Sequence, residues 1–120
     1  MEAKGHKFYS RTDTEVIIHL YEEYPDDFVT KLDGIFAFSL WDKKKRELLL
    51  ARDYFGIKPL HYFYDGNVLI FCSEIKGIIS SGLYKPSPND QALHDLLNLR
   101  YVPGEQTLFK DIHRVAAGTV

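Results

Sequence analysis

Residues 48–73 read LLLARDYFGIKPLHYFYDGNVLIFCS, and the alternation of apolar runs with turn residues in this stretch decides the fold class. LLLAR (48–52), LHYFY (60–64) and VLIFCS (68–73) have the length of strands, and the last two also the β-branched or aromatic content. Asp65-Gly66-Asn67 between the last two is a strong hairpin signal. Upstream, IFAFSLW (35–41) is a further buried strand, joined to LLLAR by the charged turn DKKKRE. Lys43, Lys44, Lys45 and Arg46 then read as a solvated loop. Two consecutive hairpins, four antiparallel strands in all, follow from this pattern.

Helices flank the strands. In RTDTEVIIHLYEEY (11–24), Val16, Ile17, Leu20, Tyr21 and Tyr24 fall on one helical face. Thr12 and Glu15 form a candidate capping box, and Pro25 stops the helix. DDFVTKL (26–32) predicts a short helical turn before Asp33-Gly34. EIKGIISSG (74–82) predicts a short helix ended by Gly82. KPSPNDQALHDLLNLR predicts another, with Ser87 as N-cap, Pro88 at the first helical position, and Leu93, Leu96 and Leu97 on one face. The tail, residues 101–120, is turn-rich with only short apolar pieces. Segregated helices and strands make the chain α+β, with a sheet covered by helices on at least one face.

Composition bounds the function. A chain of 120 residues, 45% hydrophobic and 27% charged, suits one globular domain rather than a disordered segment. Net charge is −2, which gives no support for a nucleic-acid or membrane-surface partner. No apolar run approaches the length of a membrane span, and MEAKGHKFYS lacks the apolar stretch of a signal peptide, so the expected location is cytoplasmic.

Few residues are candidates for chemistry. The lone cysteine, Cys72, lies in an apolar run with nothing beside it to activate a thiol, and reads as a small buried hydrophobe. The five histidines (His6, His19, His61, His94 and His113) are scattered, with no spacing of a metal pair or catalytic dyad. Arg52 and Asp53 read as an ion pair holding a tight turn. Asp13, in the first turn of the first helix, either complements the helix macrodipole or accepts hydrogen bonds from a ligand's ammonium group; local sequence favours the first. There is no Gly-rich phosphate loop.

Four ordered blocks carry more. TDTEVIIHLYEEY (12–24), LDGIFAFSLWD (32–42), LLLARDYFGIKPLHY (48–62) and FCSEIKGI (71–78) resemble the second half of the glutaminase domain of glutamine-dependent asparagine synthetases, class II glutamine amidotransferases. PGEQTLFKDIHRVAAG (103–118) is similar to the connection from that domain towards a synthetase domain. The resemblance covers residues 8–118, and the SLWD and ARDYFGIKPL blocks favour the asparagine synthetase branch over sugar-amidating relatives.

The resemblance implies an N-terminal-nucleophile fold, two antiparallel sheets sandwiched by helices. In that family an N-terminal cysteine attacks the glutamine amide with its own α-amino group as base. It implies that residues 1–120 are a partial type-2 glutamine amidotransferase domain, the N-terminal part of the domain lying elsewhere, with 101–120 as the connection. One substrate-binding position carries over: Asp13, on the α-amino group of glutamine. The chain begins Met1-Glu2, so no catalytic residue is assigned and the chain alone is expected to be inactive. No metal ligand is assigned either; ATP and magnesium are expected only in the synthetase domain. Expected partners are glutamine, a complementing N-terminal fragment or synthetase domain, or a second copy of the chain. The alternatives are a non-catalytic interaction module derived from the glutaminase domain, or part of another class II amidotransferase. Three departures from the family pattern are Tyr54 in place of a common Arg, Cys72 in place of Ala, and Ala117 in place of Pro.

Overall fold

A computed structural model describes residues 1–120. The chain divides into two compact units, Met1–Gly34 and Ile35–Val120.

The first unit is built on helix α1 (Thr14–Glu23). Its apolar stripe buries Leu20 and sets Tyr21 edge-to-face on Phe28, with ring centroids 5.2 Å apart. Phe28 opens the short 3-10 turn Phe28–Lys31 that the sequence predicts. The capping box does not form. The N-cap is Asp13, in right-handed helical conformation and with no side-chain cap bond. Thr12 is instead engaged side chain to side chain with Ser10, at 2.9 Å. Glu15 reaches past the cap to accept the Tyr9 and Ser10 amides, both at 2.7 Å, and the Ser10 hydroxyl. At the other end, the Tyr24 amide donates to the Leu20 carbonyl, and the Tyr24 ring carries the ammonium groups of Lys4 and Lys31 within 4.5 Å of its centroid.

The second unit holds two small antiparallel sheets. Strands β1 (Ala37–Asp42) and β2 (Glu47–Arg52) pair from Ala37 opposite Arg52 to Asp42 opposite Glu47. Their turn is exposed as expected; Asp42 accepts the Lys44 and Lys45 amides, and Arg46 takes a left-handed conformation at φ 58°. Strands β3 (His61–Tyr64) and β4 (Leu69–Cys72) form the second hairpin. Asp65 Oδ1 accepts the Asn67 and Val68 amides across its turn. These bonds, the Val68 amide first, hold the Asp65 carboxyl below the ordinary carboxylate range.

A fifth strand, β5 (Ile112–Arg114), is not legible in the sequence, where only a turn-rich tail is expected. It pairs with the free side of β3, giving the order β4-β3-β5. The two hairpins therefore belong to separate sheets.

Helix α2 (Ile75–Ser80) packs on this second sheet and places Ile78 in a core with Phe63, Tyr84 and Ile112. The Phe63 and Tyr84 rings meet edge-to-face at 4.9 Å, and the Tyr84 hydroxyl donates to the Lys110 carbonyl. Helix α3 spans Asp90–Leu99. Its N-cap is Asn89, whose side chain accepts the Ala92 amide at 3.2 Å, rather than Ser87 with Pro88 in the first turn. The reason is tertiary. The Lys110 amide donates to the Ser87 carbonyl and the Asn89 amide to the Leu108 carbonyl, an antiparallel bridge that keeps residues 87–89 extended. Ala92 is the buried residue of this helix, while Leu93 and Leu97 of the expected apolar face are exposed. Ile35, Trp41 and Tyr64 are each more than half exposed.

Candidate functional site

Asp13 stands at the start of α1 with its carboxylate exposed. No lysine, arginine or histidine lies within ion-pairing distance of it, and its one side-chain contact is a long hydrogen bond from the Thr14 hydroxyl, 3.5 Å. A carboxylate spent on capping would bond the amides of the first turn, and Asp13 does not. Glu15, two residues on, is committed: the Ser10 hydroxyl and the Tyr9 and Ser10 amides hold its carboxyl down to about 2. Of the two acidic groups in the Thr-Asp-Thr-Glu stretch, one fixes the backbone and the other is exposed without an ion-pair partner.

The Arg52–Asp53 pair is not an ion pair. Each residue binds backbone. Asp53, 2% exposed, accepts the Phe36 amide at 3.1 Å and the Phe55 and Gly56 amides at 2.9 Å. Arg52 donates to the carbonyls of Lys58, Val115 and Gly56, and so ties the loop after β2 to the tail 63 positions further on. The Gly118 amide closes the same knot on the Asp53 carbonyl. Gly56, at φ 59°, lies under this cradle: a Cβ there would fall 2.9 Å from Ala117 Cβ and 3.1 Å from Arg52 Cζ. Tyr54 takes no part, standing exposed with its ring edge-to-face on Phe55. The loop is scaffold.

Cys72 is only partly buried rather than enclosed, and like Ile70 and Ile75 it packs against the core. Its neighbour across the strand pair, His61, turns Nδ1 to the Ser73 carbonyl at 3.1 Å rather than to the thiol. Burial pushes the His61 imidazole below its ordinary pKa. The two groups form no nucleophile–base pair. A cleft of about 490 Å³ opens between β2, the β3–β4 hairpin and the tail, lined largely by apolar side chains such as Leu50, Tyr62, Leu69 and Val115. Arg114 at its wall is spent on the carbonyls of Val102 and Gln106.

The histidines are less scattered than the sequence implies. His6 and His19 come into contact, Nδ1 to Nδ1, at 3.0 Å, with Glu15, Glu22 and Glu23 around them. The helical half of this cluster was legible: His19 sits four residues after Glu15 and three before Glu22. The approach of His6 was not.

Comparison of the sequence with known proteins shows the family. The model of the glutamine amidotransferase domain family matches residues 1–120. The chain is similar to asparagine synthetase [glutamine-hydrolyzing] 3 of Bacillus subtilis, 40% identical over 99 residues, 82% of this chain and 16% of that protein. It is 37% identical over 108 residues to a putative asparagine synthetase [glutamine-hydrolyzing] 2 of Methanocaldococcus jannaschii, covering 88% and 21%. Amidase chry2 of Gibberella zeae is 35% identical over 112 residues, covering 93% and 16%. The chain thus spans about a fifth or less of the length of these relatives. With the family model matched from end to end, the chain belongs to the glutamine amidotransferase domain family.

Proposed function

We propose that this chain forms the glutamine-binding side of an N-terminal-nucleophile glutaminase domain whose ammonia amidates aspartate. The observation that carries the proposal is the uncommitted carboxylate of Asp13 at the head of α1. An exposed carboxylate with no cationic partner is suited to accept charge-assisted hydrogen bonds from the α-ammonium group of glutamine. Its task is to select an amino acid and to orient the distant side-chain amide, a contribution of positioning rather than of chemistry.

The chemistry is attack of a thiolate on that amide, expulsion of ammonia, and hydrolysis of the resulting thioester to glutamate. Cys72 does not suit the attack, being packed against the Phe63–Ile78–Tyr84–Ile112 core with no base on its sulfur. The thiol, its base and the oxyanion donors are therefore supplied by residues outside these 120, and this chain alone does not turn glutamine over. ATP and magnesium act elsewhere too.

The test compares glutamine with glutaramate, which keeps the amide and carboxylate but lacks the amino group. Glutamine is expected to shift the amide resonances of Thr14 and Glu15, and glutaramate to leave them in place. Asp13→Asn is expected to abolish the glutamine shifts without unfolding α1. Equal shifts from both ligands, or glutamine shifts that survive Asp13→Asn, would refute the role given to Asp13. Glutamate release by the chain alone, lost in Cys72→Ala, would refute the assignment of the chemistry.

A further inference from the structure

In the Met1–Gly34 unit, three side chains converge that the glutaminase reading does not use. His6 Nδ1 and His19 Nδ1 lie 3.0 Å apart, and Glu22 Oε2 lies 3.5 Å from the second and 3.8 Å from the first. One ligand atom from each residue falls within a group no wider than 4.8 Å. Donor atoms about 2.0–2.1 Å from a tetrahedral ion stand about 3.3 Å from one another. The three observed separations bracket that value. Two of the donors, His19 and Glu22, come from one face of α1 at a spacing of three residues, and the third comes from the segment preceding it.

The outer ring nitrogens decide what the inner ones can be. His6 Nε2 lies 3.0 Å from Glu23 Oε1. His19 Nε2 is buried without a hydrogen bond, and Glu15 Oε1 is the carboxylate facing it, at 3.6 Å. Both carboxylates are anchored: Glu23 by the Lys4 ammonium at 2.9 Å, Glu15 by the Tyr9 and Ser10 amides. In the tautomer that puts its proton on Nε2, towards the carboxylate, each ring turns an Nδ1 lone pair inward. In that tautomer two lone pairs and the Glu22 carboxylate converge with no donor among them. A proton satisfies one of these contacts. A metal ion satisfies all three, and a histidine backed by a carboxylate is the usual setting of a metal-ligating imidazole.

We propose that His6, His19 and Glu22 bind one divalent transition-metal ion of the zinc class, with a fourth position open to water. Two imidazoles and one carboxylate suit such an ion and not magnesium or calcium, which take oxygen ligands. The ion would staple the segment before α1 to the helix that carries Asp13.

The experiment titrates the whole chain, first stripped with a chelator, with zinc chloride, cobalt(II) chloride and magnesium chloride in turn. Zinc is expected to bind at one equivalent with a dissociation constant below about 10 µM. Cobalt is expected to give the visible absorption of a four- or five-coordinate ion, and magnesium to give no signal. Glu22→Gln is the decisive variant, because that side chain is mostly exposed and its loss leaves α1 intact. It is expected to weaken zinc binding by roughly tenfold or more, and His6→Ala to abolish it, with His61, His94, His113 and Cys72 retained throughout. Zinc binding weaker than about 100 µM, or tight binding unchanged in both variants, would overturn the proposal. Neither readout involves glutamine, so its failure leaves the role of Asp13 untouched.

Discussion

Replacing Asp53 by alanine should be among the most damaging single changes in the Ile35–Val120 unit, and the structure gives the size of the effect. The carboxylate is 2% exposed and accepts three backbone amides, from Phe36, Phe55 and Gly56. Hydrogen bonds to a charged acceptor contribute about 1.5–3 kcal/mol each, and a buried amide left without a partner costs about 1–3 kcal/mol. The three losses are unequal. Gly56 keeps a second acceptor in the Asp53 carbonyl at 3.0 Å, and Phe55 lies in an exposed turn where water can replace the carboxylate. One full loss and two partial ones give about 3–4 kcal/mol for Asp53→Ala. Asp53→Asn can keep one oxygen on Phe55 and Gly56, but turns an NH2 group towards the Phe36 amide, a donor against a donor. Its cost should be about 1–2 kcal/mol. Urea unfolding followed by the fluorescence of Trp41, the single tryptophan and a residue of this unit, measures both. A loss below about 1 kcal/mol for alanine, or an asparagine variant as damaged as the alanine one, would refute the cradle as the source of the stability.

The remaining expectations test other parts of the structure. Gly77 lies against Cys72, so a Cβ there would overlap the Cys72 sulfur. Gly77→Ala should destabilise by about 1–3 kcal/mol, and much less in a Cys72→Ala background, where helix propensity favours alanine by up to about 1 kcal/mol; additive effects in the double-mutant cycle would exclude the clash. Glu15 has a folded-state pKa of about 2 against an ordinary 4.5, so its support of the Tyr9 and Ser10 amides is complete above pH 4.5 and is lost as the pH falls towards 2. Amide exchange at Tyr9 and Ser10 should accelerate, relative to the intrinsic rate, only in that window; acceleration that sets in above it would contradict the assignment. Half-exposed Trp41 and Tyr64, with the outer edges of β1 and β4 unpaired by another strand, favour association with a further segment or a second copy. Sedimentation should show mass rising with concentration, and a monomer throughout would mean that these edges are self-protected.

The sequence by itself determined the elements whose information is local. Both hairpins are in place because Asp65-Gly66-Asn67 and the charged run 42–47 make their own turns, the first through amides bonded to Asp65 Oδ1 within three residues. The end of α1 at Pro25 and the burial of Leu20 follow from backbone chemistry and helical period. Asp13 was legible as a candidate through the Thr-Asp-Thr-Glu motif. The tertiary structure decided whatever depends on residues far apart in the chain. Helix α3 starts at Asn89 because residues 108–110 hold 87–89 extended, and β5 exists because β3 leaves one side open to it. Arg52 and Asp53 ignore each other because backbone groups from Phe36 to Gly118 offer them better partners. His6 meets His19 only once the segment before α1 folds back on the helix. Periodicity and turn chemistry act over a few residues, whereas a face is buried, or two side chains meet, only when loop closure brings distant segments together, and no short window of sequence carries that information.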